Sequence, residues 1–456
     1  MSYIKNTESL SQGKKEEKLR RWMLEMAENA LQRCDPGLLT REYVRLGKDQ
    51  LHVQDRVYDL SRGQRVFVVG AGKATFPIAK ALEASLGGSI FKGVVVSKHG
   101  ETGALERIRL MTASHPAPDE NSWRGAQEIV ALLEEVRAGD VVIACFTGGS
   151  SSLFVTPAGD ISLEEKAATS KVLLTCGANI IEINNVRKHI SKVKGGRLVS
   201  RLPAGTHLVN LTVSDVIGDA LDYITDPSVP DTSTFADAVY TLDKYKLWDK
   251  LPGSVVAHLK SAPVEDKTKT AADLAHLDMQ HIVLLSADAA CSSAVEEAKK
   301  LGLTPLLLSS FFEGESSVLG KNFVAIAKQI QLNGLPVQKP CCVIAGGETT
   351  VTIEGGFKGE GGPNQEFALS AARELDGIAG VVVLGLDTDG TDGPTDYAGG
   401  IVDSGTIQKA RELGVNLETA VTTHNVSPAL KALGDLVVCG NTGTNVNDLK
   451  MMIVAD

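Results

Sequence analysis

No stretch of the chain approaches the roughly 18 consecutive apolar residues that cross a bilayer, so no membrane span is expected. Nor does any Cys-x-x-Cys pair occur. The seven cysteines (34, 145, 176, 291, 341, 342 and 439) are odd in number and scattered through apolar stretches. This argues against a zinc or disulfide framework and predicts reduced core thiols in a cytoplasmic protein. Met1 to Arg21 lacks the apolar core of a signal peptide, and Glu8, Glu16 and Glu17 suit a transit peptide poorly. Positive charge is not in excess either: 46 Lys and Arg face 56 Asp and Glu, a net charge of −10. A global basic field for nucleic acid or an anionic membrane is therefore not expected. An anionic substrate would need a local basic patch. The G-x-x-x-x-G-K-[ST] pattern is missing too, which excludes a P-loop enzyme.

What is present reads as a soluble α/β enzyme. The length of 456 residues suits two or three domains, and 43% hydrophobic with 22% charged residues is ordinary globular composition. A helical pattern over residues 15–35 is followed by apolar strands at Val66, Gly93–Ser97, Val141–Phe146 and His207–Val213, with helical stretches between several of them. One long helix is expected over Ser162–Ile183. This alternation predicts a parallel, doubly wound sheet. The polar stretch Lys260–Ala272 reads as a linker, giving a large Rossmann-like domain over 15–262 and a smaller α/β domain over 273–456.

The most distinctive stretch is Val381–Asp396, a buried apolar strand that opens into a loop holding Asp387, Asp389, Asp392 and Asp396. Ligands of open α/β sheets sit beyond the carboxyl ends of strands, where this loop falls. An EF-hand would need Glu twelfth in the loop, but counting from Asp387 that position is Ala398. A Mg²⁺–phosphate site, which uses one or two carboxylates plus substrate oxygens, fits better. A capped, solvated turn is the alternative.

Gly70-Ala-Gly-Lys73-Ala-Thr75 follows another buried strand. It resembles the opening of a dinucleotide fingerprint, but Thr75 replaces the third glycine and the next strand ends in Lys98 rather than an acid, which disfavours NAD and leaves NADP open. Lys73 stands at the mouth of the turn, where a helix N-terminus favours anions. Gly148-Gly149-Ser150-Ser151-Ser152 offers backbone N–H groups and hydroxyls suited to phosphate, or forms a plain strand–helix turn. Between 187 and 197 lie five cations, Arg187, Lys188, Lys192, Lys194 and Arg197. They share a predicted helix whose apolar seam is Val186, Ile190 and Val193. Most should face solvent, with one or two aimed at an anion, and His189 reads as structural. Ser214-Asp215-Val-Ile-Gly-Asp219 supplies an aspartate as base or metal ligand, or an Asx-turn cap.

In combination these segments resemble the D-glycerate 2-kinases of the MOFRL-containing family. The resemblance extends to Ser114-His-Pro-Ala-Pro-Asp119, Gly177-Ala-Asn-Ile-Ile-Glu-Ile-Asn-Asn, Lys194-Gly-Gly-Arg-Leu, Gly346-Gly-Glu-Thr-Thr, Asn364-Gln-Glu and Thr442-Gly-Thr-Asn-Val-Asn-Asp448. It implies two domains flanking a cleft and phosphorylation of the glycerate 2-hydroxyl with ATP and Mg²⁺. The family's glycine-loop lysine falls on Lys73 and its Ser-Asp-Val aspartate on Asp215. On this reading ATP is expected at Gly70, Gly72, Gly148, Gly149, Ser151, Ser152, Gly347 and Glu348. The acceptor is expected at Arg187, Lys188 and Ser150, and Mg²⁺ at Asp387 and Asp389. Three places depart from the family pattern: Gly148-Gly-Ser-Ser-Ser-Leu153, Thr225-Asp-Pro-Ser228, and Pro363 in place of an arginine. The competing readings are an NAD(P)H-dependent hydroxypyruvate reductase and a non-catalytic glycerate or nucleotide binder. The expected partners are small molecules only, in a monomer or homodimer.

Overall fold

Alternating apolar strands and capped helices place most of the first half of the chain in one parallel sheet. In the computed structural model, residues 2–101, 103–115, 117–214, 227–286, 288–353 and 359–456 are described. Two compact units emerge: Pro36–Leu285, and Met1–Asp35 together with Ser286–Asp456.

The described residues of Pro36–Leu285 begin with the helix Pro36–Tyr43, followed by an antiparallel ribbon of β1 (Val44–Gly47), β2 (Gln50–Val53) and β3 (Arg56–Asp59). Its main sheet contains β4 (Val66–Ala71), β5 (Ile90–Lys98), β6 (Ile108–Ala113), β7 (Val141–Phe146), β8 (His207–Val213) and β9 (Asp278–Leu285). Every pairing is parallel and the order is β6-β5-β4-β7-β8-β9. The chain thus winds outward from β4 in one direction, then returns to start β7 on its other side. The switch point of this doubly wound sheet lies between β4 and β7. Both strands are buried at every residue, as strands covered on both faces must be.

Two expectations change here. The long helix over 162–183 is two helices, Leu163–Leu174 and Ile180–His189, because Gly177 takes φ +84° and Asn179 caps a new start by accepting from the Glu182 N–H. The second helix stops at His189, short of the expected seam, although Val186, Ile190 and Val193 are all buried.

The stretch 260–272 is also no free tether. Lys269 N–H donates to the Gly195 carbonyl at 2.8 Å, Asp231 N–H to the Lys269 carbonyl at 2.8 Å, and Arg197 Nε to the Lys267 carbonyl at 3.1 Å. These bonds hold the segment on the first unit, and β9 then completes that unit's sheet. The unit boundary therefore falls at 285 and 286, not at 262–273.

The other unit is built on β10 (Thr304–Phe312), β11 (Cys341–Gly347), β12 (Val381–Asp387), β13 (Gly399–Asp403), β14 (Leu436–Val437) and β15 (Asp448–Val454), in the order β10-β11-β15-β12-β13-β14. Among the described residues only β10 and β11 of this sheet pair in parallel; the remaining pairs are antiparallel. The helix Glu17–Arg33, expected in the first domain, packs here against helix Ala289–Lys300. Its buried Arg20 pairs with Asp403 at 2.5 Å and Asp435 at 3.1 Å, fixing the chain's start to the ends of distant segments.

Candidate active site

Two constellations stand out, one in each unit. In Pro36–Leu285 the loops after β4 and β7 meet at the switch point. Gly70 is dictated by that approach: a Cβ there would lie 2.3 Å from the Cys145 carbonyl oxygen. Gly72 has φ +146°, and a Cβ would fall 2.1 Å from Thr147 Oγ1. Thr75, standing where a dinucleotide fingerprint needs glycine, is buried and donates to the Cys145 carbonyl at 2.9 Å. These residues knit two loops together. Lys73 lies at the same junction. Its N–H donates to the Gly148 carbonyl at 2.9 Å, and a Cβ built on Gly149 would sit 3.2 Å from both Lys73 Cγ and His115 Cδ2. Lys73, His115 and Gly149 thus converge at the carboxyl ends of β4 and β7.

The serine loop divides by exposure. Ser150 and Ser152 are buried, and Ser152 Oγ donates to the Gly149 carbonyl at 3.1 Å. Ser151 is half-buried and accepts from Lys194 Nζ at 3.3 Å, which ties this loop to the basic segment. Lys188 is buried and forms an ion pair with Asp231. Burial and that lysine, together with Ser233, act on Asp231, with the net result that its carboxyl titrates below the ordinary range. Arg187 is half-buried, and loss of hydration lowers its guanidinium pKa. Asp215 lies outside the described residues.

In the other unit, three strand ends converge. Asp448 opens β15 and lies in register with Gly347 at the end of β11 and with Asp387 at the end of β12. Gly347 has φ +126°, where a Cβ would strike the Phe312 carbonyl oxygen at 2.2 Å, and Glu348 beside it is exposed. The four loop aspartates take different tasks. Asp392 is buried and accepts from Asn364 N–H at 3.0 Å and Gln365 N–H at 2.8 Å, capping helix Pro363–Glu374; burial pushes its carboxyl up to about 6. Asp396 is exposed. Asp387 accepts from Asp389 N–H at 3.0 Å, and Asp389 accepts from Thr391 N–H at 2.8 Å. Burial first, then the charges of Asp389 and Asp448, raise the Asp387 pKa well above the carboxylate range. A cation would relieve that repulsion.

Among the described residues, no group of three or more His, Cys, Asp or Glu side chains is arranged to hold a metal. Asp387 and Asp389 nonetheless fit the sparse demand of Mg²⁺, whose remaining ligands are waters and phosphate oxygens.

Comparison with known proteins bears directly on this arrangement. Residues 22–260 match a domain of unknown function (DUF4147), and residues 341–448 match the MOFRL family. A glycerate 2-kinase of Pyrococcus horikoshii is 41% identical over 435 residues, covering 94% of this chain and 96% of that protein. The chain belongs to the MOFRL-containing glycerate kinase family. A D-glycerate 2-kinase of Thermotoga maritima is 40% identical, covering 84% of this chain and 89% of that one. The crystal structure of a glycerate kinase from Thermotoga maritima superposes with a TM-score of 0.83 at 35% identity, covering 96% of this chain and 100% of that one.

In this chain Pro363 has a structural explanation. It opens helix Pro363–Glu374, where a missing N–H costs nothing. Residues of interest given no role of their own from the sequence are His115, Asp448 and Lys450, while Lys194 is only one of five candidate cations. Lys450 is fully buried, 2.6 Å from Asp448, and a charge pair two residues apart in an otherwise apolar strand was the available signal.

His189 keeps its structural role: Nδ1 lies 2.8 Å from the Asn185 carbonyl, and the ring packs edge-on to Phe235. Burial lowers its pKa to about 4. The unfolded chain, with an imidazole near 6.5, then binds more protons below that pH. Stability from this group is present above pH ~6.5 and falls as pH drops toward ~4, by about 2–3 kcal/mol at pH 4.5. Denaturant unfolding at pH 7 and 4.5 should show a smaller difference for His189→Gln than for the parent. Equal differences would remove His189 from the account.

Proposed function

We propose that the enzyme transfers the γ-phosphoryl group of ATP to the 2-hydroxyl of D-glycerate, forming 2-phosphoglycerate and ADP. The observation that carries this reading is Lys73 set beside Gly149 and His115 at the switch point of a doubly wound sheet, in a chain of the glycerate kinase family. A phosphotransferase needs little covalent help from its protein. It needs charge placed where the transferring group becomes more negative.

Lys73 is proposed to neutralise that charge, with the backbone of Gly70, Gly72, Gly148 and Gly149 and the hydroxyls of Ser151 and Ser152 around the phosphates. Gly347 and Glu348 are proposed as further nucleotide contacts. Arg187, Lys188 and Ser150 are assigned to the acceptor, and Asp215 to orienting or deprotonating its hydroxyl. Mg²⁺, held by Asp387 and Asp389, would screen phosphate charge. The other two readings have less support. Thr75 breaks the dinucleotide pattern that a hydroxypyruvate reductase would use, Lys98 counts against NAD though not against NADP, and the departures that raised a non-catalytic binder leave Lys73 in place.

No helix among the described residues is long and apolar enough to cross a membrane. All seven cysteines are free thiols, which supports a cytoplasmic setting.

The test is direct. ADP should form only when Mg²⁺ and D-glycerate are both present, with 2-phosphoglycerate as the isomer, and NADPH should survive incubation with hydroxypyruvate. Stoichiometric NADPH consumption would overturn the kinase reading.

A further inference from the structure

The basic segment gathers several buried or half-buried cations; Asp231 and Asp266 act on Arg197 without an ion pair to it, and among the described residues Arg187 and Lys166 have no carboxylate partner. Lys188 is engaged by Asp231. Arg197 is 3% exposed; its Nη1 donates to the Lys188 carbonyl at 2.8 Å and the Lys194 carbonyl at 3.1 Å, while among the described residues its buried Nη2 has no partner. Lys166, on helix Leu163–Leu174, is 4% exposed and donates to the Ile190 carbonyl at 2.6 Å. Among the described residues no carboxylate pairs with it. Instead Lys194, Arg187 and Arg197 lie near enough to act on its ammonium, adding to burial in lowering its pKa. Among the described residues Arg187 makes no hydrogen bond or ion pair.

A structural account covers part of this. Helix Ile180–His189 ends at these residues, and the negative end of a helix favours cations. The carbonyl contacts of Lys166 and Arg197 brace the turn that follows. Neither point accounts for the guanidinium of Arg187 or for Nη2 of Arg197. Buried charge is retained when it is paired or when it meets a ligand. A guanidinium is also the group that grips a carboxylate or phosphoryl oxygen pair most specifically.

We propose that Arg187, with Lys166, Lys194 and Arg197 around it, forms an oxyanion pocket that takes a compact carboxylate or phosphoryl group, and that Lys188 serves instead to hold Asp231. The proposal rests on the kinase reading and deepens it. It adds Lys166, Lys194 and Arg197 to the acceptor residues and separates Arg187 from its neighbour. The two sources of such an oxyanion are the carboxylate of the acceptor acid and a phosphoryl group of ATP.

The full-length Arg187→Gln and Arg187→Lys variants distinguish them. Arg187→Gln should raise KM for D-glycerate at least about tenfold, on the scale of one charge-assisted hydrogen bond, with KM for ATP within about twofold. Arg187→Lys should fall between it and the parent, since charge is kept and the fork is lost. A rise confined to KM for ATP would assign the pocket to a phosphoryl group and still support it. Inorganic phosphate gives a readout independent of turnover: it should raise the Tm of the parent and have less effect on Arg187→Gln. If the parent makes no phosphoglycerate yet loses its phosphate response in the variant, the kinase reading fails and the pocket stands. A folded Arg187→Gln protein with both KM values and the phosphate response unchanged overturns the pocket.

Discussion

Lys73→Met should lower kcat about 10²–10³-fold while changing KM for ATP and D-glycerate far less. The expectation follows from when the charge matters. Ground-state ATP already carries its negative charge, and many groups share it. The bond-breaking step moves charge among the γ-phosphoryl, leaving and attacking oxygens, and a cation fixed there acts mainly on that change. A loss of about 2.7–4 kcal/mol is what removing one such donor typically costs. Methionine keeps most of the side chain's length and apolar stem, so packing of its Cγ beside Gly149 is largely retained. The loop's own anchor, the N–H of residue 73 on the Gly148 carbonyl, is backbone and survives any substitution but proline. Tm should therefore move by no more than a degree or two. A variant with most of its turnover intact would remove Lys73 from the chemistry. A variant that loses Tm and turnover together would make it a packing residue.

Where the sequence was informative depended on the range of the forces involved. Strands β4, β7 and β12 were legible because a strand covered on both faces must be apolar throughout, and that is a local property. The glycine loops were legible for the same reason, though their meaning shifted: Gly70 and Gly72 are set first by the approach of Cys145 and Thr147. The unit boundary was not legible. A polar stretch such as 260–272 looks like a linker until its backbone finds Gly195 and Asp231, residues far away in sequence. The same is true of the loop aspartates. All four look alike in sequence, yet Asp392 is drawn off by the N-terminus of helix Pro363–Glu374, leaving Asp387 and Asp389 beside Asp448. The parallel alternation of the first half also did not carry into the second sheet, where β15 returns between β11 and β12 and makes both pairings antiparallel.

Arg20→Met should destabilise the unit formed by Met1–Asp35 and Ser286–Asp456 by about 3–5 kcal/mol, the usual result of removing one partner from a buried ion pair. Arg20 is fully buried between Asp403 and Asp435, themselves 2% and 1% exposed, and its Nη1 also donates to the Leu10 carbonyl at 2.9 Å. Without it, Lys14 still lies 2.6 Å from Asp435, but Asp403 loses its cation and keeps mainly the Gly405 N–H at 2.7 Å. A buried carboxylate in that position either stays charged at a cost or takes a proton, and both routes lower stability at neutral pH. For a unit of this size each kcal/mol corresponds to about 2–4 °C, so Tm should fall by roughly 6–20 °C. The neighbouring residue supplies the control. Arg21 pairs with Glu17 at the surface, with side chains 61% and 39% exposed, and Arg21→Met should cost no more than about 0.5 kcal/mol. Thermal unfolding of the two variants side by side separates burial from charge alone, because each loses one arginine from the same helix. Equal melting temperatures would mean that the Arg20 network is no stronger than a solvated pair, and that the helix Glu17–Arg33 is held by its apolar face against Ala289–Lys300.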